Sequence, residues 1–149
     1  MSYHFHIMLR AELEAKMVDG SLEVAELPEA RNAAMKAYLG VDVPDDAQGV
    51  LQDVHWSSGQ IGTFCNYTIG NIMAAQLFDT ATNENPGIQT ALDGANYTPL
   101  RDWLTEKVAQ HGRHYSRDEL LENATGRTLD HEPYIAHLTR KFTDRYALS

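Results

Sequence analysis

Residues 67–81 read YTIGNIMAAQLFDTA, and the way this stretch folds decides the class of the whole chain. Wound at about 100° per residue, Ile69, Ile72, Met73, Ala74, Ala75, Leu77 and Phe78 fall on nearly every side of a helix. A helix that is apolar all round is expected to be buried by its neighbours. No period-two alternation persists here or elsewhere in the chain, so the sequence points to an all-α fold.

The segments on either side agree. Residues 3 to 19 place Phe5, Met8, Leu9, Leu13 and Met17 at helical spacing, and Gly20 supplies a stop. A second helix is expected to start around Pro28 and to run through Met35 and Leu39 to Gly40. VDVPDD, at 41–46, is a turn or loop, and the stretch 49–64, GVLQDVHWSSGQIGTF, is broken by glycines and serines. Downstream, a short helix covers about 87 to 93. Thr98 is then expected to cap a helix with Pro99 at its first position and Leu100, Trp103, Leu104 and Val108 on one face, ending at Gly112. Ser116 and Glu119 form a capping box before a short helix that stops at Gly126. The last helix is expected to bury Ile135, Leu138, Phe142 and Tyr146. No repeat, low-complexity tract or domain-sized linker interrupts the chain, so residues 1–149 are expected to form a single helical domain.

With 149 residues, 43% of them hydrophobic and 22% charged, the chain has the composition of a globular protein with a real core. A formal net charge of −9 argues against a nucleic-acid partner. No apolar run approaches the ~20 residues that a membrane-spanning helix needs, and MSYHFHIMLR is not expected to act as a secretory signal. The single cysteine, Cys65, rules out an internal disulfide and fits a reducing cytoplasm.

Seven histidines raise the question of a metal. The stretch HEPYIAH, at 131–137, has its two histidines six apart, or ~240° around a helix, whereas a zinc-binding helix needs them four apart. Pro133 lies between them and fits only a first helical turn, so a helix start with Asp130 as N-cap is expected. His4 and His6 are two apart and face different ways, and His111 and His114 flank a helix end, where they complement its dipole. No Cys-x-x-Cys, P-loop, dinucleotide-binding glycine pattern or Gly-x-Ser-x-Gly occurs. The densest cluster of site-competent side chains is Gln52, Asp53, His55 and Trp56. Asp53 could orient an imidazole, His55 could donate a hydrogen bond or proton, and Trp56 could wall a pocket. The competing reading is a buried polar cluster that stabilises a loop. Tyr67, at the start of the most apolar helix, could stabilise oxyanion charge, or simply pack in the core.

Taken together, these residues resemble a known family. GVLQDVHW matches the G-x-x-Q-D-x-H-W signature of the carboxypeptidase Taq family of metallocarboxypeptidases. YHFHIMLRAELE resembles that family's Y-x-L-H-I-x-x-R-x-E-x-E segment, LPEARNAAMKAYLG its L-P-E-x-W-N-x-x-M-x-x-Y-L-G stretch, and YTIGNIMAAQLF its Y-x-L-G-N-x-x-A-A-Q helix. LRDWLTEKVAQHGRHYSRDELLENATG and YIAHLTRKFTDRY are similar to its closing region. Arg31 stands where the family commonly has tryptophan, Thr63 where it has an aromatic residue, and Cys65 where it has proline.

The resemblance covers essentially the whole chain but only the C-terminal third of a family member. It implies a zincin-like, mostly helical carboxypeptidase that removes C-terminal residues from peptides. It also implies a zinc or other divalent ion held by an upstream H-E-x-x-H helix and a later Glu, neither of which is in these 149 residues. Catalytic roles would fall to His55, Tyr67 and Asp53 and substrate binding to Gln52 and Trp56, with Asp53 orienting His55. No metal is expected on this chain alone, which is expected to be inactive without the missing N-terminal metal-binding portion. The alternative is a stand-alone, catalytically inactive helical binding or dimerisation module derived from the same scaffold. In either case an apolar patch near Phe5, Trp56 and Phe64 would be left open for self-association as a homodimer.

Overall fold

The structure, a computed structural model, describes residues 2–147. Among the described residues eight α-helices follow one another: α1 (Tyr3–Asp19), α2 (Leu27–Leu39), α3 (Val54–Ser57), α4 (Cys65–Glu84), α5 (Gly87–Asp93), α6 (Thr98–Lys107), α7 (Arg117–Thr125) and α8 (Glu132–Tyr146). There is no strand among the described residues, so the fold is all-α. Among the described residues, no helix is long and apolar enough to cross a membrane.

Local chemistry sets the helix ends. Gly20 and Gly40 close α1 and α2 in the left-handed conformation, at φ 78° and 67°, which glycine adopts without steric cost. Ser116 and Glu119 form the expected reciprocal box at the start of α7. The cap of α6 differs from expectation. Asn96, not Thr98, supplies the oxygen, accepting the Thr98 N–H at 3.1 Å. At α8 the Asp130 carboxylate accepts the Glu132 N–H at 2.9 Å, so Asp130 provides the capping chemistry one residue ahead of the geometric cap, His131.

Packing gathers the chain into two compact units, Met1–Ile69 and Gly70–Ser149. In the first, α1 packs on α2 through Leu9, Leu13, Leu27 and Met35, with Met17, Val50 and Trp56 against them. Burying a leucine such as Leu9 contributes roughly 1.5–3 kcal/mol. In the second, Ala81, Ile88 and Trp103 form the centre, and the Trp103 indole donates to Glu84 at 2.7 Å. Gln76, fully buried, donates to Thr125 Oγ1 (2.8 Å) and to the Thr128 carbonyl (3.0 Å), and accepts the Asp130 N–H (3.0 Å). That one amide ties α4 to the turn between α7 and α8, and its donors and acceptor are satisfied, as burial demands.

Two burial expectations fail. Of the 20 residues of α4, only Gln76 and Ala81 are buried. The final helix buries none of its residues: Ile135 is 49% exposed and Tyr146 64%, with Leu138 and Phe142 half-buried. These apolar side chains outnumber the surfaces that the described residues offer to cover them.

Candidate functional site

The site is built where α1 meets the irregular stretch 49–64 and the first turn of α4. Gly49 opens that stretch. A Cβ there would meet the Asp45 carbonyl at 2.9 Å and Val43 Cγ1 at 3.0 Å, so the chain turns here only because position 49 has no side chain. Asp53 follows, 4% exposed, and leads into the single turn of α3 that carries His55 and Trp56.

Asp53 does not orient His55. Its Oδ1 accepts from Arg10 Nε at 2.5 Å and its Oδ2 from Arg31 Nε at 2.9 Å. One buried carboxylate thus lies between two guanidiniums, and Arg31 Nη1 is buried without a hydrogen-bond partner among the described residues. Arg10 also donates to the His6 carbonyl at 2.9 Å, and its guanidinium lies 5.4 Å from the centre of the Phe64 ring. The Phe64 ring packs 4.7 Å from that of His55 and 5.8 Å from that of Trp56. Asp53 is therefore linked to the imidazole only through Arg10 and the Phe64 ring on which His55 rests.

A second charged anchor holds the other end of the loop. Glu14, 5% exposed, accepts the Trp56 indole N–H at 2.9 Å and the Gly62 backbone N–H at 3.0 Å. The polar end of Trp56 is therefore already used inside the chain. So is that of Gln52, whose amide donates to the Ala47 carbonyl at 2.6 Å while the side chain stays at the surface. The expected patch changes as well. Phe64 is 2% exposed and belongs to the core, Trp56 is half-buried, and the open apolar side chains on α1 are Tyr3, Phe5 and Met8, at 43–48%, near its start and Val18, at 72%, near its end.

His55 and Tyr67 do come together. His55 Nε2 lies 3.1 Å from the Tyr67 phenol oxygen, with the rings edge to face. Tyr67 is 44% exposed, on the third residue of α4. His55 Nδ1 is buried and has no partner among the described residues. With the proton on Nε2 and the unpartnered Nδ1 left as the acceptor nitrogen, the imidazole donates to the phenol oxygen. The phenolic O–H is then free to donate outward. On the next residue, Thr68 Oγ1 meets His4 Nδ1 at 2.9 Å, so two imidazoles brace the first turn of α4. No three His, Cys, Asp or Glu side chains converge as a metal site among the described residues, so the residues present do not form a donor set for an ion.

Arg10 and Glu14 were not singled out as site residues from sequence, although both lie within YHFHIMLRAELE. Their signal was one of position. Spaced four apart, they share a helical face with each other and flank the buried Leu13, where an isolated charge is costly.

The carboxypeptidase Taq (M32) metallopeptidase family pattern matches residues 1–142. The chain belongs to this family. Carboxypeptidase 1 of Bacillus subtilis is 34% identical over 148 residues, covering 99% of this chain and 30% of the relative. Thermostable carboxypeptidase 1 of Pyrococcus furiosus is 36% identical over 142 residues, 95% of this chain and 28% of the relative. The crystal structure of an M32 carboxypeptidase from Deinococcus radiodurans superposes with a TM-score of 0.94 at 40% identity, covering 99% of this chain and 30% of that one. The chain thus spans about 30% of the length of the carboxypeptidases that it matches.

Within this family member, one side chain gives a pH-dependent signal. Burial, and then the charges of Arg10 and Arg31, hold the His6 pKa below its usual 6.5, against the opposing pull of Asp53. The unfolded chain takes up this proton near 6.5 and the folded chain only at lower pH. The contribution of His6 to stability is therefore complete above pH 6.5 and is lost as the pH falls toward the folded value. Thermal melts from pH 7 to pH 5 should show a falling melting temperature, and His6→Gln should flatten part of that slope. Identical slopes for the two proteins would refute the assignment.

Proposed function

We propose that this chain forms part of the substrate cleft of a metal-dependent carboxypeptidase, with the His55–Tyr67 pair as the hydrogen-bond donor that meets the peptide. The observation that carries this reading is the 3.1 Å contact between His55 Nε2 and the Tyr67 oxygen at the exposed start of α4, in a member of this metallopeptidase family. His55 holds the phenol in place and leaves its O–H pointing away from the ring stack. A substrate carbonyl oxygen placed there accepts that hydrogen, and the bond strengthens as charge grows on the oxygen during attack. Asp53, clamped by Arg10 and Arg31, keeps the loop in register, so in this reading it positions rather than reacts. Gln52 and Trp56 shape the rim, with their polar ends engaged internally.

Zinc is the metal of this reading, held by polypeptide that supplies the donor set missing among the described residues. The unpaired thiol of Cys65 fits a cytoplasmic setting.

The test is a graft. The segment of the Deinococcus radiodurans enzyme that corresponds to this chain is replaced by residues 1–149, and release of C-terminal residues from a blocked peptide is measured. An active graft supports the reading. A folded, metal-loaded but inert graft overturns it, and favours the alternative of a self-associating helical module that uses Tyr3, Phe5 and Met8.

A further inference from the structure

The chain between His55 and Tyr67 has little to hold it. Every residue from 57 to 62 is exposed, Ile61 included at 49%. Gly59 and Gly62 take positive φ, at 70° and 76°, so the backbone turns twice within this segment. Its own hydrogen bonds are local: the Gly59 N–H donates to the Trp56 carbonyl at 3.0 Å and the Gln60 N–H to the His55 carbonyl at 2.9 Å. These bonds close the turn without tying it to a helix. Glu14 supplies that tie. It is buried on the 17-residue α1, next to the buried Leu13. One oxygen of its carboxylate accepts from Trp56, the residue after His55, and the other accepts from Gly62, ahead of Phe64 and Tyr67. One side chain of α1 therefore holds both segments whose meeting produces the 3.1 Å contact between His55 and Tyr67. The proposed chemistry gives Glu14 no part.

We propose that Glu14 is a positioning residue: its two carboxylate oxygens set the distance and orientation between His55 and Tyr67, and so aim the phenolic O–H. A carboxylate suits this task because both groups that it meets are N–H donors, and it offers acceptors to each. Both bonds lie in a buried setting, where a lost partner is costly. The Asp53 cluster grips the chain ahead of α3, and Phe64, 2% exposed, seats the chain just ahead of α4. Glu14 bonds to the turn that lies between these two fixed points. Its bearing on catalysis rests on the cleft reading above, whereas its hold on the His55–Tyr67 pair is a property of this chain alone.

The experiment reads the His55 imidazole by nuclear magnetic resonance, in this chain carrying nitrogen-labelled histidine. The His55 signals are identified by their loss in His55→Gln. In alkaline buffer the neutral ring should show the well-separated nitrogen shifts of a single tautomer. Glu14→Gln keeps the side-chain volume but turns one acceptor into a donor, so either Trp56 or Gly62 loses its partner. The two His55 shifts should then draw together, the mark of a ring that exchanges tautomers. Trp103→Phe, which weakens the core of the second unit and deprives Glu84 of its indole partner, should leave them in place. Unmoved His55 shifts in a folded Glu14→Gln chain overturn the proposal. If that variant does not fold, hydrogen exchange in the unaltered chain decides. The Trp56 indole and Gly62 amide protons should exchange at least ~10-fold more slowly than in an unfolded chain, and unprotected protons would overturn the assignment. In the graft, Glu14→Gln should lower kcat by ~10²-fold at unchanged metal content, the scale of a misplaced catalytic group. An undiminished kcat in an active graft also overturns it. The two readings fail separately: an inert parent graft removes the cleft reading, and the His55 shifts of this chain alone still decide the role of Glu14.

Discussion

Asp53→Asn should lower the stability of this chain by about 3–5 kcal/mol, the usual cost of removing one partner from a buried charge cluster. In a chain of this size that corresponds to a fall in melting temperature on the order of 10 °C. The substitution keeps the side-chain volume, so no cavity adds to the loss. What changes is charge. Two guanidiniums, 17% and 4% exposed, are left facing each other across a neutral amide that can offer only one of them an acceptor. A surface pair gives the contrast. Lys36 and Asp42 approach to 2.6 Å, but their side chains are 57% and 82% exposed, and such a pair contributes only about 0–1 kcal/mol. Adding Arg31→Met to Asp53→Asn should recover part of the loss, because it removes one uncompensated charge. The double mutant should be more stable than the sum of the single effects by roughly 0.5–3 kcal/mol. Strict additivity in urea melts would show that the three groups do not act as one cluster.

In the grafted carboxypeptidase, Tyr67→Phe should reduce kcat by ~10²–10³ while KM changes little, as expected for a donor whose bond strengthens only as charge develops. Phenylalanine preserves the ring and its edge contact with His55, whose imidazole stays packed on Phe64. The side chain is 44% exposed, so its hydroxyl is not needed to satisfy the core. A stability loss should therefore not accompany the kinetic one. An unchanged kcat would remove Tyr67 from the reaction, and a rise in KM alone would make it a ground-state binding contact.

The helices were largely legible because their signals are local. Gly20 and Gly40 end α1 and α2 where the sequence places the stops, and the Ser116–Glu119 box opens α7 as expected. Caps are decided within a few residues, and a hydroxyl or amide of neighbouring position can stand in, as Asn96 does for Thr98. The site was legible in part. His55 and Tyr67 are twelve residues apart and were both named, yet nothing local requires them to touch. The partner of Asp53 was misjudged because the nearest competent group in sequence, His55, is not the nearest in space. Arg10 and Arg31 reach it from 43 and 22 positions away.

By itself, then, the sequence determined an all-α chain, several of its helix ends and its membership of a metallocarboxypeptidase family, since periodicity, capping and motif spacing are written along the chain, although α6 stops at Lys107 short of Gly112 and the turn of α3 was not read. Only the tertiary structure decided which charges share a buried cluster, which aromatic rings stack beside the imidazole and which apolar helix faces stay uncovered. Those outcomes depend on the low-dielectric contact of residues far apart in sequence, where a carboxylate pairs with whichever cations packing brings to it.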